Sequence, residues 1–236
     1  MENWLERTIL LMGEEKLERL KKAHVLVVGV GGVGAYAAEM ICRAGVGKMT
    51  IIDGDVVNAS NINRQLVARH STIGEKKVDI LSKRLLDINP NLELVAKYEF
   101  IHDELTEELL DSDTFDFIVD AIDTLSPKVN LIASAMRRKI KIVSSMGAGA
   151  RIDPTRIQFA DISATRECTL AKAVRKRLAK IGIRKGLPTV FSTEAPNRSA
   201  VLLTETERNK KSTVGTISYM PAIFGCFLAS HVIRKL

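Results

Sequence analysis

The chain of 236 residues lacks paired cysteines, histidines at metal-binding intervals and apolar runs long enough for a membrane. Its three cysteines, Cys42, Cys168 and Cys226, are widely separated and odd in number. That excludes a disulfide framework or a C-x-x-C zinc pair within one chain. His24, His70, His102 and His231 show no ligand spacing either. The amino-terminal stretch has no signal-peptide apolar core, so a reducing cytoplasm is the expected compartment. The apolar segment Tyr219 to Ile233 is short for a bilayer and carries Pro221 and His231, which predicts a buried or dimer-interface helix and no membrane partner. No repeat, low-complexity tract or long linker divides the chain, and 46% hydrophobic residues suit one α/β domain with a sizeable core.

The stretch from Val25 to Gln65 organises the rest. An apolar run, VLVVG, meets the glycine cluster GVGGVG and opens into GAYAAEMICRA, with apolar residues at Val33, Ala37, Met40, Ile41 and Ala44. This reads as strand, phosphate loop and helix. Gly29, Gly31 and Gly34 fit G-x-G-x-x-G, which gives a sharp turn, close backbone approach to a phosphate and tight helix packing. The helix amino terminus then favours an anion. After Gly45-Val46-Gly47, the strand MTIID delivers Asp53 to its carboxyl end, where Rossmann-type folds place an acid on ribose hydroxyls. Taken alone, these features fit a nicotinamide dinucleotide as well as any other nucleotide. Arg64 in NASNINRQ and Lys77 in STIGEKKVD shift the balance, because two cations just beyond the ribose acid suit a triphosphate, and ATP is the better fit.

Together these elements resemble the adenylating domain of the ubiquitin-activating enzyme superfamily. In that family a G-x-G-G-x-G loop, an acid after the second strand, N-x-x-R-Q, a G-x-x-K lysine and a later strand-end aspartate form the ATP site. Here they match Gly29, Gly31, Gly32 and Gly34, then Asp53 with Asp55 beside it, Asn61 with Arg64 and Gln65, Gly74 with Lys77, and Asp123 in VDAID. The resemblance implies that Asp123 binds magnesium. It also implies a homodimer in which an arginine near the chain start reaches the partner's phosphates, and Arg7 is the residue that aligns.

The remaining segments predict an open α/β sheet. Residues 1–22 read as a short helical arm with Leu5, Ile9 and Leu10 packed against the body or a second subunit. EKKVDILSKRLLDIN is an amphipathic helix carrying Lys77 in its first turn, LELVAKYEF is a strand and DELTEELLD a short acidic helix. FDFIVDAID is a buried parallel strand, with Ser126-Pro127 capping the next helix. KIKIVSSMGAGA adds a strand and a glycine turn at Gly147 and Gly149, where a monovalent cation could approach the backbone. RIDPTRIQFADISAT supplies another strand with flanking turns. In TLAKAVRKRLAKIGIRKG, 100° per residue places Leu170, Val174, Leu178 and Ile181 on one face and Lys172, Arg175, Lys176 and Lys180 on the other. Arg184 and Lys185 extend this basic face, Lys210 and Lys211 add a smaller cluster, and no acid occurs from Thr169 to Pro188. With a net charge of +7 and a pI near 9.4, the pattern points to nucleic-acid phosphates.

The absent zinc cysteines, the R-x-D-P-T run at Arg151 to Thr155, the basic helix and F-S-T-E at Phe191 to Glu194 resemble the tRNA threonylcarbamoyladenosine dehydratase family. The likeness implies a Rossmann-like, doubly wound, mainly parallel sheet with an inserted basic helix and a C-terminal return. A single domain over 1–236 is expected, with an arm (1–22), an ATP-binding core (23–150), a tRNA-binding part (151–216) and a packing helix (217–236). It also implies ATP-dependent cyclisation of threonylcarbamoyladenosine in tRNA through carboxylate adenylation, with Arg64, Lys77, Asp123 and Arg7 as catalytic groups. A sulfur-transfer protein is a further partner the resemblance admits. Adenylation of a small sulfur-carrier protein uses the same ATP residues and stands as the alternative. Cys168 could take an acyl group, as catalytic cysteines do elsewhere in the superfamily, but a structural or incidental thiol is the expected reading, because the acceptor nitrogen belongs to the substrate.

Overall fold

The structure, a computed structural model, describes residues 4–207 and 210–236, and the side chains of 203–207 and 210–212 lie outside the described residues. The side chains of Lys210 and Lys211 fall in that group. Helices α1 (Glu6–Met12) and α2 (Glu14–Lys22) precede β1 (His24–Val28), α3 (Gly34–Arg43), β2 (Lys48–Ile52), α4 (Lys77–Ile88) and β3 (Glu93–Lys97). Then come α5 (Asp103–Ser112), β4 (Phe117–Asp120), α6 (Leu125–Arg137), β5 (Lys141–Ser145), β6 (Ile157–Asp161), α7 (Thr169–Lys180) and β7 (Pro188–Ser192). The hairpin β8 (Val201–Glu207) and β9 (Lys210–Val214) leads to α8 (Tyr219–Lys235).

Seven strands form one sheet in the order β3-β2-β1-β4-β5-β7-β6, all parallel except the edge strand β6. Parallel strands need helical crossovers that cover both faces, and β1 and β4 are accordingly buried along their whole length. The α3, α4 and α8 side holds one core cluster and the α5, α6 and α7 side the other. Each fully buried Leu, Ile or Val contributes about 1.5–3 kcal/mol of transfer free energy. Because β5 pairs with β7, residues 151–192 extend the same sheet as the nucleotide half.

The order of strands reverses between β1 and β4, which makes a crevice at their carboxyl ends. Helix α8 returns to cover it, and a Cβ on Gly225 would overlap the Val33 carbonyl, so only glycine allows α8 to seat this closely on α3.

Several local expectations change. The arm is broken at Gly13 into two helices, of which α1 contributes no buried residue and leaves Leu10 80% and Leu11 84% exposed, while Leu5 packs inward beside Gly45. The helix after β4 begins at Leu125 with Thr124 at its cap position, so Ser126 and Pro127 lie inside its first turn. α7 stops at Lys180, and Ile181, assigned to its apolar face, is 55% exposed.

Candidate active site

The glycine loop leaves β1 at the switch point. Gly29 has φ +86°, and its N–H donates to the Ile52 carbonyl at 2.9 Å. A Cβ on Gly34 would overlap the Gly29 carbonyl, so the loop can turn directly into α3 only with glycine there. No acidic side chain occupies the first turn of α3, so the partial positive charge of the helix amino terminus is left for an anion.

Asp53 follows β2 and ties the loop to it. Its Oδ2 accepts from the Val30 N–H at 2.7 Å, and its Oδ1 accepts from the Asp55 N–H at 2.8 Å. Burial pushes the Asp53 carboxyl above its ordinary value, opposed by Lys77 and by the N–H groups of Asp55 and Val30. Lys77 begins α4 and is only 4% exposed, and its Nζ donates to Asp55 Oδ2 at 2.7 Å. An ammonium this buried persists only with a partner. The structure brings Asp53, Asp55 and Lys77 together, with Asp55 as counterion to the lysine.

Residues 58–65 form the next wall. Asn61 is buried, and its Oδ1 accepts from the Asn58 N–H at 3.1 Å, so its side chain shapes the loop. Arg64 packs over Gly32 and donates to the Ser60 carbonyl at 2.8 Å and to Asn63 Oδ1 at 2.9 Å. The amide of Gln65 faces Gly31, and its Oε1 is buried without a hydrogen-bond partner among the described residues. A buried orphan polar atom beside a glycine cradle is a position that a ligand or water satisfies. Sequence reasoning missed Asn63, whose Nδ2 donates to the Thr216 carbonyl at 2.8 Å and ties this wall to the segment before α8.

The second acid of the strand-end pair is displaced from expectation. β4 ends at Asp120, and Asp123 lies three residues further on, exposed in the loop that walls Gly29 and Gly34. Asp120 is fully buried and pairs with the equally buried Lys128 at 2.8 Å, and it accepts from Ser144 Oγ at 2.6 Å. Lys128 Nζ also donates to the Ile122 carbonyl, and Asp120 Oδ1 accepts from the Ile122 N–H. This network fixes the backbone that carries Asp123.

The turn at Gly147 and Gly149 holds a cation of the protein's own. Arg151, 5% exposed, donates to the carbonyls of Gly147 (3.0 Å), Gly149 (2.9 Å), Glu194 (3.1 Å) and Glu167. The Gly147 and Gly149 carbonyls, at the turn where the sequence suggests a monovalent cation, thus each accept a hydrogen bond from this guanidinium. Cys168 is buried at the cap of α7, where its Sγ accepts from the Ala171 N–H at 3.4 Å, a structural placement for the thiol.

On α7, Lys172, Lys176 and Lys180 are exposed, as are Arg184 and Lys185 beyond it. Arg175 is the exception. It is half-buried and donates to the Thr165 carbonyl at 2.7 Å and to the Thr165 hydroxyl, so it braces the preceding turn instead of extending the exposed face. Arg177, not anticipated, is exposed and donates to Ser126 Oγ at 2.7 Å. Arg7 sits exposed on α1 and is not brought to the glycine loop of its own chain by any contact described. Among the described residues no cluster of three or more His, Cys, Asp or Glu is suited to a metal ion.

The sequence matches the model of the ThiF family over residues 5–236. It is 41% identical over 237 residues to a Bacillus subtilis tRNA threonylcarbamoyladenosine dehydratase, covering 98% of this chain and 93% of that protein. To the Escherichia coli protein of the same name it is 35% identical over 253 residues, covering 99% and 94%. A crystal structure of the E. coli tRNA N6-threonylcarbamoyladenosine dehydratase in complex with ATP superposes with a TM-score of 0.89 at 34% identity, covering 100% of this chain and 95% of that one.

Proposed function

Because the chain belongs to the ThiF family, we propose that it is an ATP-dependent enzyme that cyclises threonylcarbamoyladenosine in tRNA by adenylating its carboxylate. The observation that carries this reading is the crevice at the β1/β4 switch point, with a glycine loop, the unpartnered Oε1 of Gln65, buried Lys77 and exposed Asp123 around it. The modified nucleoside's carboxylate attacks the α-phosphorus of ATP, which releases pyrophosphate and leaves an acyl-adenylate. A carbamoyl nitrogen then attacks the acyl carbon, loses its proton and expels AMP. One carboxylate oxygen leaves with AMP, so the net change is loss of water.

Two anions meet in the first step, and the chain answers with fixed positive charge. Lys77 and Arg64 face the phosphates and stabilise charge that develops there, while Asp53 accepts from the ribose. Asp123 is the carboxylate that would hold a magnesium ion brought in with ATP, since one or two carboxylates are the usual protein share for this ion. Bound there it would spread the charge of the departing pyrophosphate. No covalent nucleophile is required, because the acceptor nitrogen belongs to the substrate. The exposed apolar α1 supports a homodimer in which Arg7 completes the partner's site.

The test is incubation with threonylcarbamoyladenosine-bearing tRNA and ATP, followed by nucleoside mass spectrometry. A nucleoside lighter by one water, formed with equal AMP, is expected. AMP formation that requires a small carrier protein and ignores tRNA would replace this reading with the sulfur-carrier one.

A further inference from the structure

The cations of α7 do not end with the helix. α7 starts beside the crevice, where Cys168 lies against Gly147, and residues 181–187 bring the chain to the start of β7 at the opposite edge of the sheet. Its twelve residues span about 18 Å. On the other face α8 makes the same traverse, from Pro221 beside Gly32 to Lys235, whose carbonyl accepts from Lys141 Nζ at 3.1 Å at the start of β5. The two ends meet at an open cleft of about 400 Å³, bordered by Gly186 and Pro188 on one side and by Arg234 and Lys235 on the other, with Phe159 and His231 in its lining.

Lys16 reaches this corner too, donating to the Arg234 carbonyl at 3.5 Å. Burial first, and then the nearby charges of Arg19 and Lys141, push its ammonium below the ordinary value. Lys16 and Lys141 are spent on the last carbonyls of α8, as lysines at a helix end commonly are. Arg184, Lys185, Arg234 and Lys235 are left exposed. Among the described residues, no carboxylate lies in ion-pair range of any of these six cations. The acid lining the cleft, Asp161, already accepts from the N–H groups of Ser163 and Gly186.

We propose that this corner is a second phosphate-contact surface for tRNA, so that one RNA arm is held from the crevice, along α7, to the far edge of the sheet. The inference rests on the tRNA reading above. The choice of RNA follows from charge and extent: a small anion would engage one or two cations, whereas a stem presents phosphates at regular spacing along the whole row. Contacts of this kind position the nucleic acid without reading its sequence.

The experiment measures tRNA affinity against salt for the wild type, for Arg234→Gln combined with Lys235→Gln, and for Lys83→Glu. The last, an exposed position on α4 beside β3, makes the same change in net charge at the other end of the sheet. Each lost phosphate contact should flatten the slope of log affinity against log salt by about 0.7–0.9. The double variant should therefore lose roughly 0.7–1.8 from its slope with ATP affinity unchanged, and Lys83→Glu should keep the wild-type slope. A double variant with wild-type slope overturns the proposal, as does equal flattening in both variants. A wild-type protein with no salt-dependent tRNA binding would remove the tRNA reading itself, and this surface with it.

Discussion

Lys77 is the residue on which position and chemistry agree most closely. It was legible in the sequence as a lysine in a first helical turn beside a phosphate loop, but its pairing with Asp55 was not, because nothing local says which of two nearby acids will face it. Lys77→Ala and Arg64→Ala should fold, yet each should lower turnover about a hundredfold or more, the scale of removing one preorganised charge-stabilising donor. Single-turnover AMP formation measures this, and near-normal rates in both would take them out of the site. Lys128 behaves differently because, among the described residues, its ammonium bonds to Asp120 and to the Ile122 carbonyl. Lys128→Ala strands a buried carboxylate and should cost about 3–5 kcal/mol in denaturant unfolding. Asp120→Asn with Lys128→Met removes both charges and should recover most of that loss. The sequence D-A-I-D carries two acids after one apolar run, and the structure buries the first in an ion pair at the end of β4 and leaves the second exposed in the loop that follows.

For the elements, alternation of apolar runs with amphipathic segments made the strand–helix order readable, since parallel strands buried on both faces must be apolar throughout. The angular count along α7 likewise found its buried stripe of Val174 and Leu178. It misplaced Arg175 because the partner, Thr165, comes from the preceding turn and lies off the helix altogether. The two kinds of arginine separate by experiment. Lys176→Gln with Lys180→Gln should weaken tRNA binding and flatten its salt slope by up to about 1.8 while leaving thermal stability within a degree or two. Arg175→Gln should instead lower stability, by about 1–3 kcal/mol for a lost charge-assisted hydrogen bond, with a smaller change in slope. The clamp around Arg151 was invisible from sequence, since backbone carbonyls brought from four separate positions carry no side-chain signature.

At the scale of the whole molecule, the exposed Leu10 and Leu11 of α1 are a surface the proposed homodimer would cover, and Arg7 lies on that helix. If Arg7 serves the partner's crevice, inactive Arg7→Ala and inactive Asp123→Ala proteins should regain activity after subunit exchange. Each mixed dimer would contain one site with both groups intact. Verified exchange without recovery would confine Arg7 to bracing its own chain.

The closure of α8 over α3 has a consequence for the order in which the protein is made. Gly225 must seat against Val33, yet the two are synthesised 192 positions apart (225 − 33), which at ordinary ribosomal speed is roughly ten to forty seconds. During that interval β1, the glycine loop and α3 exist without their cover, and the wall from Asn63 to Thr216 is missing as well. The nucleotide crevice is thus begun by β1 and finished by α8, so a growing chain should be unable to hold ATP until α8 has emerged. Ribosome-bound chains stalled before Tyr219 should fail to retain a fluorescent ATP analogue that the released full chain binds, and equal retention by both would show that the crevice matures without its C-terminal cover.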